Sequence, residues 1–219
     1  MSSASDYPKW QIQITKLANH FELDVIDAQR VFNRYKDLVN NNSAINTTGA
    51  HFHKRFERNH YYTVLAAIRK VGFATDKNEF SLLKIVQELI GSGGVVTRQN
   101  YPGLIGLLDE GAVSRALIES ASVGYFEPGG KLNTDALRKD EQALVGMRDK
   151  LKFVNERVLH LQKNPAAAIA PEGDLEDIIE QLKVMIRKYR LFLTGHDIEW
   201  SIEVPSWVTI FTQPWVVGE

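Results

Sequence analysis

Apolar side chains recur at intervals of three and four residues through most of this chain, a spacing that lines them along one face of an α-helix. From Trp10 onward, Ile14, Leu17, Phe21, Val25, Ala28, Phe32, Tyr35 and Val39 follow it. Asp24 is expected to cap a second helix after a break near Glu22. The run Asn40, Asn41, Asn42, Ser43 is expected to stop that helix, because short polar side chains compete for their own backbone. Phe52, Phe56, His60, Val64, Ala67 and Ile68 form the next stripe and predict a core-facing helix from about Ala50 to Val71, ending near Gly72. Ser81 then opens a helix carrying Leu82, Ile85, Val86, Leu89 and Ile90, with Gly91 as its stop.

Between Tyr101 and Val123 the signals are those of shorter helices, with Pro102 at a start and Gly111 an interruption. Glu127, Pro128, Gly129 and Gly130 mark a firm turn. After it Thr134 can cap a long helix through Leu137, Leu144, Met147, Leu151, Val154, Val158 and Leu161, ending near Asn164 and Pro165. Asp174 precedes Leu175, Ile178, Ile179, Leu182, Met185, Ile186, Tyr189 and Leu193, the clearest amphipathic helix, which Gly195 closes. Trp200, Ile202, Val204, Trp207, Val208, Ile210 and Phe211, with Pro205 and Pro214 among them, read as an extended flap or short hairpin. The expected fold is therefore all-α: a bundle of four to five long helices over residues 1–195, a small helical insertion at about 95–130, and an extended aromatic tail over 196–219.

Composition narrows the chemistry. Of 219 residues 44% are hydrophobic, enough for a sizeable core, and 26 basic residues against 27 acidic ones leave a net charge of -1, so nucleic-acid binding would need a local patch. With no cysteine there are no disulfides, thiolate ligands or thiol nucleophile, which suits a reducing compartment, and the cytoplasm is the expected location. No apolar run approaches the roughly 18 residues of a membrane span, and the polar start Met1–Tyr7 does not read as a signal peptide.

Several motifs fail on their chemistry. Gly124–Lys131 lacks the spacing of a phosphate loop, and Leu132 stands where a magnesium-binding hydroxyl belongs. His51, His53 and His60 form no zinc pattern, and histidines two apart on a helix point to different faces, so hydrogen-bonding histidines are expected. The acidic pairs Asp109–Glu110 and Glu176–Asp177 sit where solvated faces and helix starts belong. No metal and no cofactor are expected.

The segment Met147-Arg148-Asp149-Lys150-Leu151-Lys152-Phe153-Val154-Asn155-Glu156-Arg157-Val158-Leu159-His160-Leu161 resembles the signature helix of the HEPN superfamily, in its abortive-infection branch. There an arginine, often followed by a small polar residue, precedes a histidine with four to six residues between them. Asn155 and His160 correspond to the polar residue and the histidine, and Val154 stands where the arginine is expected. Arg58–Leu89, with Asp76 in its loop, resembles the branch's helix, acidic loop and helix, and Asp174–Gly195 resembles its closing helix. Arginine-to-histidine spacings of this kind arise by chance about once in a chain with six histidines, and Arg55–His60 and Arg190–His196 are read as coincidences.

The resemblance implies an RNA-binding protein or metal-independent endoribonuclease of prokaryotic antiviral defence or a toxin–antitoxin system. His160 would move a proton, Arg157 would stabilise phosphorane charge in place of the missing arginine, and Asn155 would be the polar member. Arg148, Lys152 and Lys163 make the helix locally basic and would contact RNA phosphates. The partners implied are RNA and a second copy in a homodimer, and the tail tryptophans Trp200, Trp207 and Trp215 offer a surface for a further protein. The other reading is a catalytically inactive helical interaction module.

Overall fold

The computed structural model describes residues 6–41, 50–74, 79–92, 94–106, 116, 119–158 and 172–200, without the side chains of 50, 51, 152–158 and 172–174. Among the described residues the architecture is all-α; one apolar core joins most of the helices, and the buried Phe32 and Tyr35 of the second helix pack apart from it, on the third. They are α1 (Tyr7–Phe21), α2 (Ala28–Asn40), α3 (Ala50–Ile68), α4 (Leu82–Gly91), α5 (Tyr101–Leu104), α6 (Thr134–Val158) and α7 (Glu172–Thr194). No helix among the described residues is long and apolar enough to cross a membrane.

The break expected near Glu22 is absent. A π-helical segment, Glu22–Asp27, carries the backbone from α1 into α2 without leaving helical dihedrals, so Asp24 lies inside a continuous helix and caps nothing. A wider turn absorbs an extra residue while Val25 and Ile26 stay buried, which a capped break would not allow. A second π segment, Arg69–Phe73, extends α3 past the expected stop at Gly72 and leaves the helix at Ala74. Gly72 lies against α7 there, where a Cβ would sit in van der Waals contact with Leu182 at 3.4 Å.

Caps explain the other boundaries. The Ser81 hydroxyl accepts from the Lys84 amide at 3.3 Å and donates to the Ala74 carbonyl at 2.9 Å, so one side chain starts α4 and ties it to the end of α3. At α6 the cap is Asn133 and not Thr134: the Asn133 carboxamide oxygen accepts from the Ala136 amide at 3.1 Å. The Glu127–Gly130 turn forms as read, with Gly130 at φ 77° and its amide donating to Glu127 at 2.8 Å. It is flanked by isolated bridges, Phe126 with Leu132 and Thr97 with Lys131, that the helical reading of this insertion did not anticipate.

Helix α1 packs along α7, and α4 along α6. Tyr7, Trp10, Ile14, Leu17 and Phe21 are all buried, the three-and-four spacing turned into one core-facing stripe. The C-terminus of α7 lies against α1 and α5, where its last carbonyls lack intrahelical donors. Tyr7 and Tyr101 hydroxyls both donate to the Phe192 carbonyl, at 3.4 and 2.8 Å, and the Gln11 amide donates to Leu193 at 2.9 Å. Gly195, at φ 70°, returns its amide to Leu191 at 2.8 Å and ends the helix as the sequence predicts. The chain then doubles back: Ile198 is buried, Asp197 forms a bidentate pair with Arg187 at 2.5 and 2.6 Å, and the Trp200 ring meets Phe21 edge-on at 5.6 Å. Trp200 thus packs partly buried on the bundle, whereas Trp207 and Trp215 lie outside the described residues.

Candidate functional site

Helix α6 carries the segment singled out in the sequence. Leu137, Leu144, Met147 and Leu151 are buried, which fixes one face inward. Asp140 ties the same helix to α7 by accepting from Tyr189 Oη and Lys188 Nζ, each at 2.8 Å. Behind it, Tyr125 stacks on Phe192 at 4.0 Å and meets Tyr189 edge-on at 5.7 Å. Burial first, and then the Asp140 carboxylate, push the Tyr125 hydroxyl well above the usual tyrosine range, which favours its neutral form.

Beyond Leu151 the backbone continues as helix through Asn155 and Arg157 to Val158. Arg148 is half-exposed, and its Nε and Nη2 each lie 3.4 Å from Asp149 Oδ1, a solvent-side pair worth under about 1 kcal/mol that leaves the guanidinium available. Lys150 is exposed. Lys152, Asn155 and Arg157 lie on the described backbone but their side chains do not belong to the described set, and His160 and Lys163 lie outside it.

The histidines of α3 serve the α2–α3 contact. His60 stacks on Phe32 with centroids 4.0 Å apart and planes 8° apart, and its Nε2 donates to Gln29 at 3.1 Å. His53 Nδ1 is hydrogen-bonded to the Tyr35 hydroxyl, and Phe56 packs against both Phe32 and Tyr35. These are the hydrogen-bonding histidines expected from the sequence. Arg55 is exposed while His60 turns to Phe32, so this arginine–histidine spacing brings no pair together. Arg190 is half-buried and His196 lies exposed beyond Gly195. Among the described residues no group of three or more His, Asp or Glu side chains converges as metal ligands would.

Burial lowers the His60 pKa from its ordinary 6.5 to about 4. Between those values the unfolded chain binds more protons than the folded one, so the His60 contribution is complete above pH 6.5 and is lost as pH falls toward 4. The ring is half-buried, and solvent screening reduces the effect to about 1–2 kcal/mol. Urea unfolding at pH 7 and pH 4 should show the parent losing about that much more than His60→Gln. Equal losses in both proteins would mean that His60 does not couple folding to protons.

The sequence reading passed over the outward face of α3, where Lys54, Arg55 and Arg58 are exposed and the Arg58 guanidinium sits 5.2 Å from the Tyr62 ring centroid. A basic i, i+4 pattern was the available signal. Comparison of the chain with protein families, with curated proteins and with solved structures gives no match.

Proposed function

We propose that this chain is an RNA-handling helical protein of the HEPN type, in which the end of α6 and the residues after it perform metal-independent endoribonuclease chemistry. The observation that supports this most directly is α6 itself, a helix of 25 residues seated by Leu144, Met147 and Leu151. The Met147–Val158 part of the segment resembling the family's signature is thereby helical, as that resemblance requires.

In this reading His160 moves a proton at the ribose 2′-hydroxyl or at the leaving oxygen, and Arg157 stabilises the charge developing on phosphorus. Asn155 is the polar member of the motif, and Arg148, Lys152 and Lys163 hold flanking phosphates. The nucleophile is the substrate's own hydroxyl, so a proton carrier and a cation suffice. The chain acts as a homodimer in the cytoplasm, its two His160-bearing segments facing one cleft, within prokaryotic antiviral defence or a toxin–antitoxin system.

Val154, at the position of the expected arginine, favours a second reading: a bundle that keeps the architecture, lacks cleavage and acts as an interaction module. Incubating the protein with end-labelled total RNA, with and without EDTA, separates the two. The nuclease reading expects chelator-insensitive cleavage that His160→Ala slows about a hundredfold with the circular dichroism spectrum unchanged. A variant as active as the parent would remove His160 from the chemistry, and an inert, well-folded parent would leave the interaction module.

A further inference from the structure

Helix α3 and its π extension, residues 50–73, hold Lys54, Arg55, Arg58, Arg69 and Lys70 against the single carboxylate of Glu57, in a chain whose net charge is -1. At 100° per residue, positions 54, 55, 58, 62 and 69 fall within an arc of about 100° that extends for about 22 Å along the helix axis. His53, Phe56 and His60 face α2, and Val64, Leu65 and Ile68 face the core, with Leu65 turning inward within the same arc between Tyr62 and Arg69. Lys54, Arg55, Arg58 and Arg69 are exposed, and none is ion-paired with a carboxylate among the described residues. In the middle of this row the Arg58 Nε donates to the Tyr62 hydroxyl at 2.9 Å while its guanidinium lies over the ring at 5.2 Å. The π segment bearing Arg69 and Lys70 packs against α6, so this row and the basic Arg148–Lys150 turn belong to neighbouring helices.

We propose that this α3 row is the docking surface for single-stranded RNA, with the phosphates lying on Lys54, Arg55, Arg58 and Arg69 and an unstacked base resting on the Arg58–Tyr62 platform. A file of cations with no carboxylate partner among the described residues matches a polyanion laid lengthwise, and releases counterions from it. A guanidinium held over an aromatic ring gives a base a flat surface to stack on, which an acidic peptide would not use. The inference rests on the RNA reading above and adds the surface that holds the strand. It uses none of the residues assigned to cleavage.

Fluorescence anisotropy of the full chain with a labelled 20-nucleotide single-stranded RNA, repeated at several salt concentrations, tests it. The variant Arg55→Glu/Arg58→Glu/Arg69→Glu should bind at least tenfold more weakly, with the log–log salt slope reduced by about 2, near 0.7 for each lost phosphate contact. Tyr62→Leu should weaken binding severalfold and leave that slope unchanged. If the triple reversal fails to fold, glutamine at the same three positions reads the same loss of slope. Parent and triple variant binding alike would overturn the α3 surface while leaving the RNA reading intact, as would a loss confined to Arg148→Glu. Equal affinity for a blunt duplex would overturn the single-strand assignment. A parent that binds no RNA would defeat the function proposed above together with this surface.

Discussion

Trp10→Ala is expected to lower the free energy of unfolding by about 4 kcal/mol, and so to lower the thermal midpoint by about 8–16 °C for a chain of this size. Trp10 has no exposed surface, lies edge-on to Tyr7 at 5.9 Å, and its indole Nε1 donates to Glu88 Oε2 at 2.7 Å. The ring therefore fills the space between α1 and α4 and also directs a hydrogen bond onto a carboxylate that Lys9 pairs at 3.2 Å. Truncation removes the transfer free energy of the indole and leaves a cavity that two packed helices cannot close. Trp10→Phe separates the two contributions: it keeps most of the volume, loses the donor, and should cost about 1–1.5 kcal/mol. Circular dichroism melts of the three proteins give the comparison. A Phe variant as unstable as the Ala variant would place the energy in the hydrogen bond to Glu88 and not in the packing.

Trp10 also marks what the sequence could disclose. Its stripe was legible because helical periodicity is a local property, and so were the stops at Asn40, Gly91 and Gly195. The π segments were not, since over six residues the apolar spacing of a wide turn differs too little from that of an α-helix. Asn133 and Thr134 are both good caps by residue type, and the sequence alone does not choose between them; Asn133, next to the Phe126–Leu132 bridge, makes the cap bond. The helix under Arg148, Asn155 and Arg157 was legible for the same local reason as α1. The interior groupings were not: His60 on Phe32, or Asp140 between Tyr189 and Lys188, join side chains of separate helices, and no short-range pattern encodes that meeting. The α3 row is an intermediate case, with charges visible in the sequence but their shared outward direction fixed only once α2 and the core claim the other faces.

Phe192→Ala should cost a similar amount, about 4 kcal/mol, but distribute it differently. The Phe192 ring stacks on Tyr125 at 4.0 Å and on Tyr101 at 5.2 Å, and tilts against Phe126 at 6.1 Å. All three belong to the insertion between α4 and α6, whose distant parts are joined by backbone hydrogen bonds from Arg98 to Gly130 at 2.8 Å and from Asn133 to Tyr125 at 2.7 Å. Removing the ring deprives the insertion of its common apolar partner while leaving the Phe192 carbonyl in place for Tyr7 and Tyr101. Native-state hydrogen exchange should therefore rise first at the Arg98 and Asn133 amides, with α1 and α4 amides keeping protection closer to the parent's. Phe192→Leu, which keeps a large side chain at the position, should cost under about 1.5 kcal/mol and protect both amides. A uniform rise across all helices in the Ala variant would make the insertion an integral part of the cooperative core. A rise confined to the insertion would make it a separate unit, held to the end of α7 chiefly by this one ring.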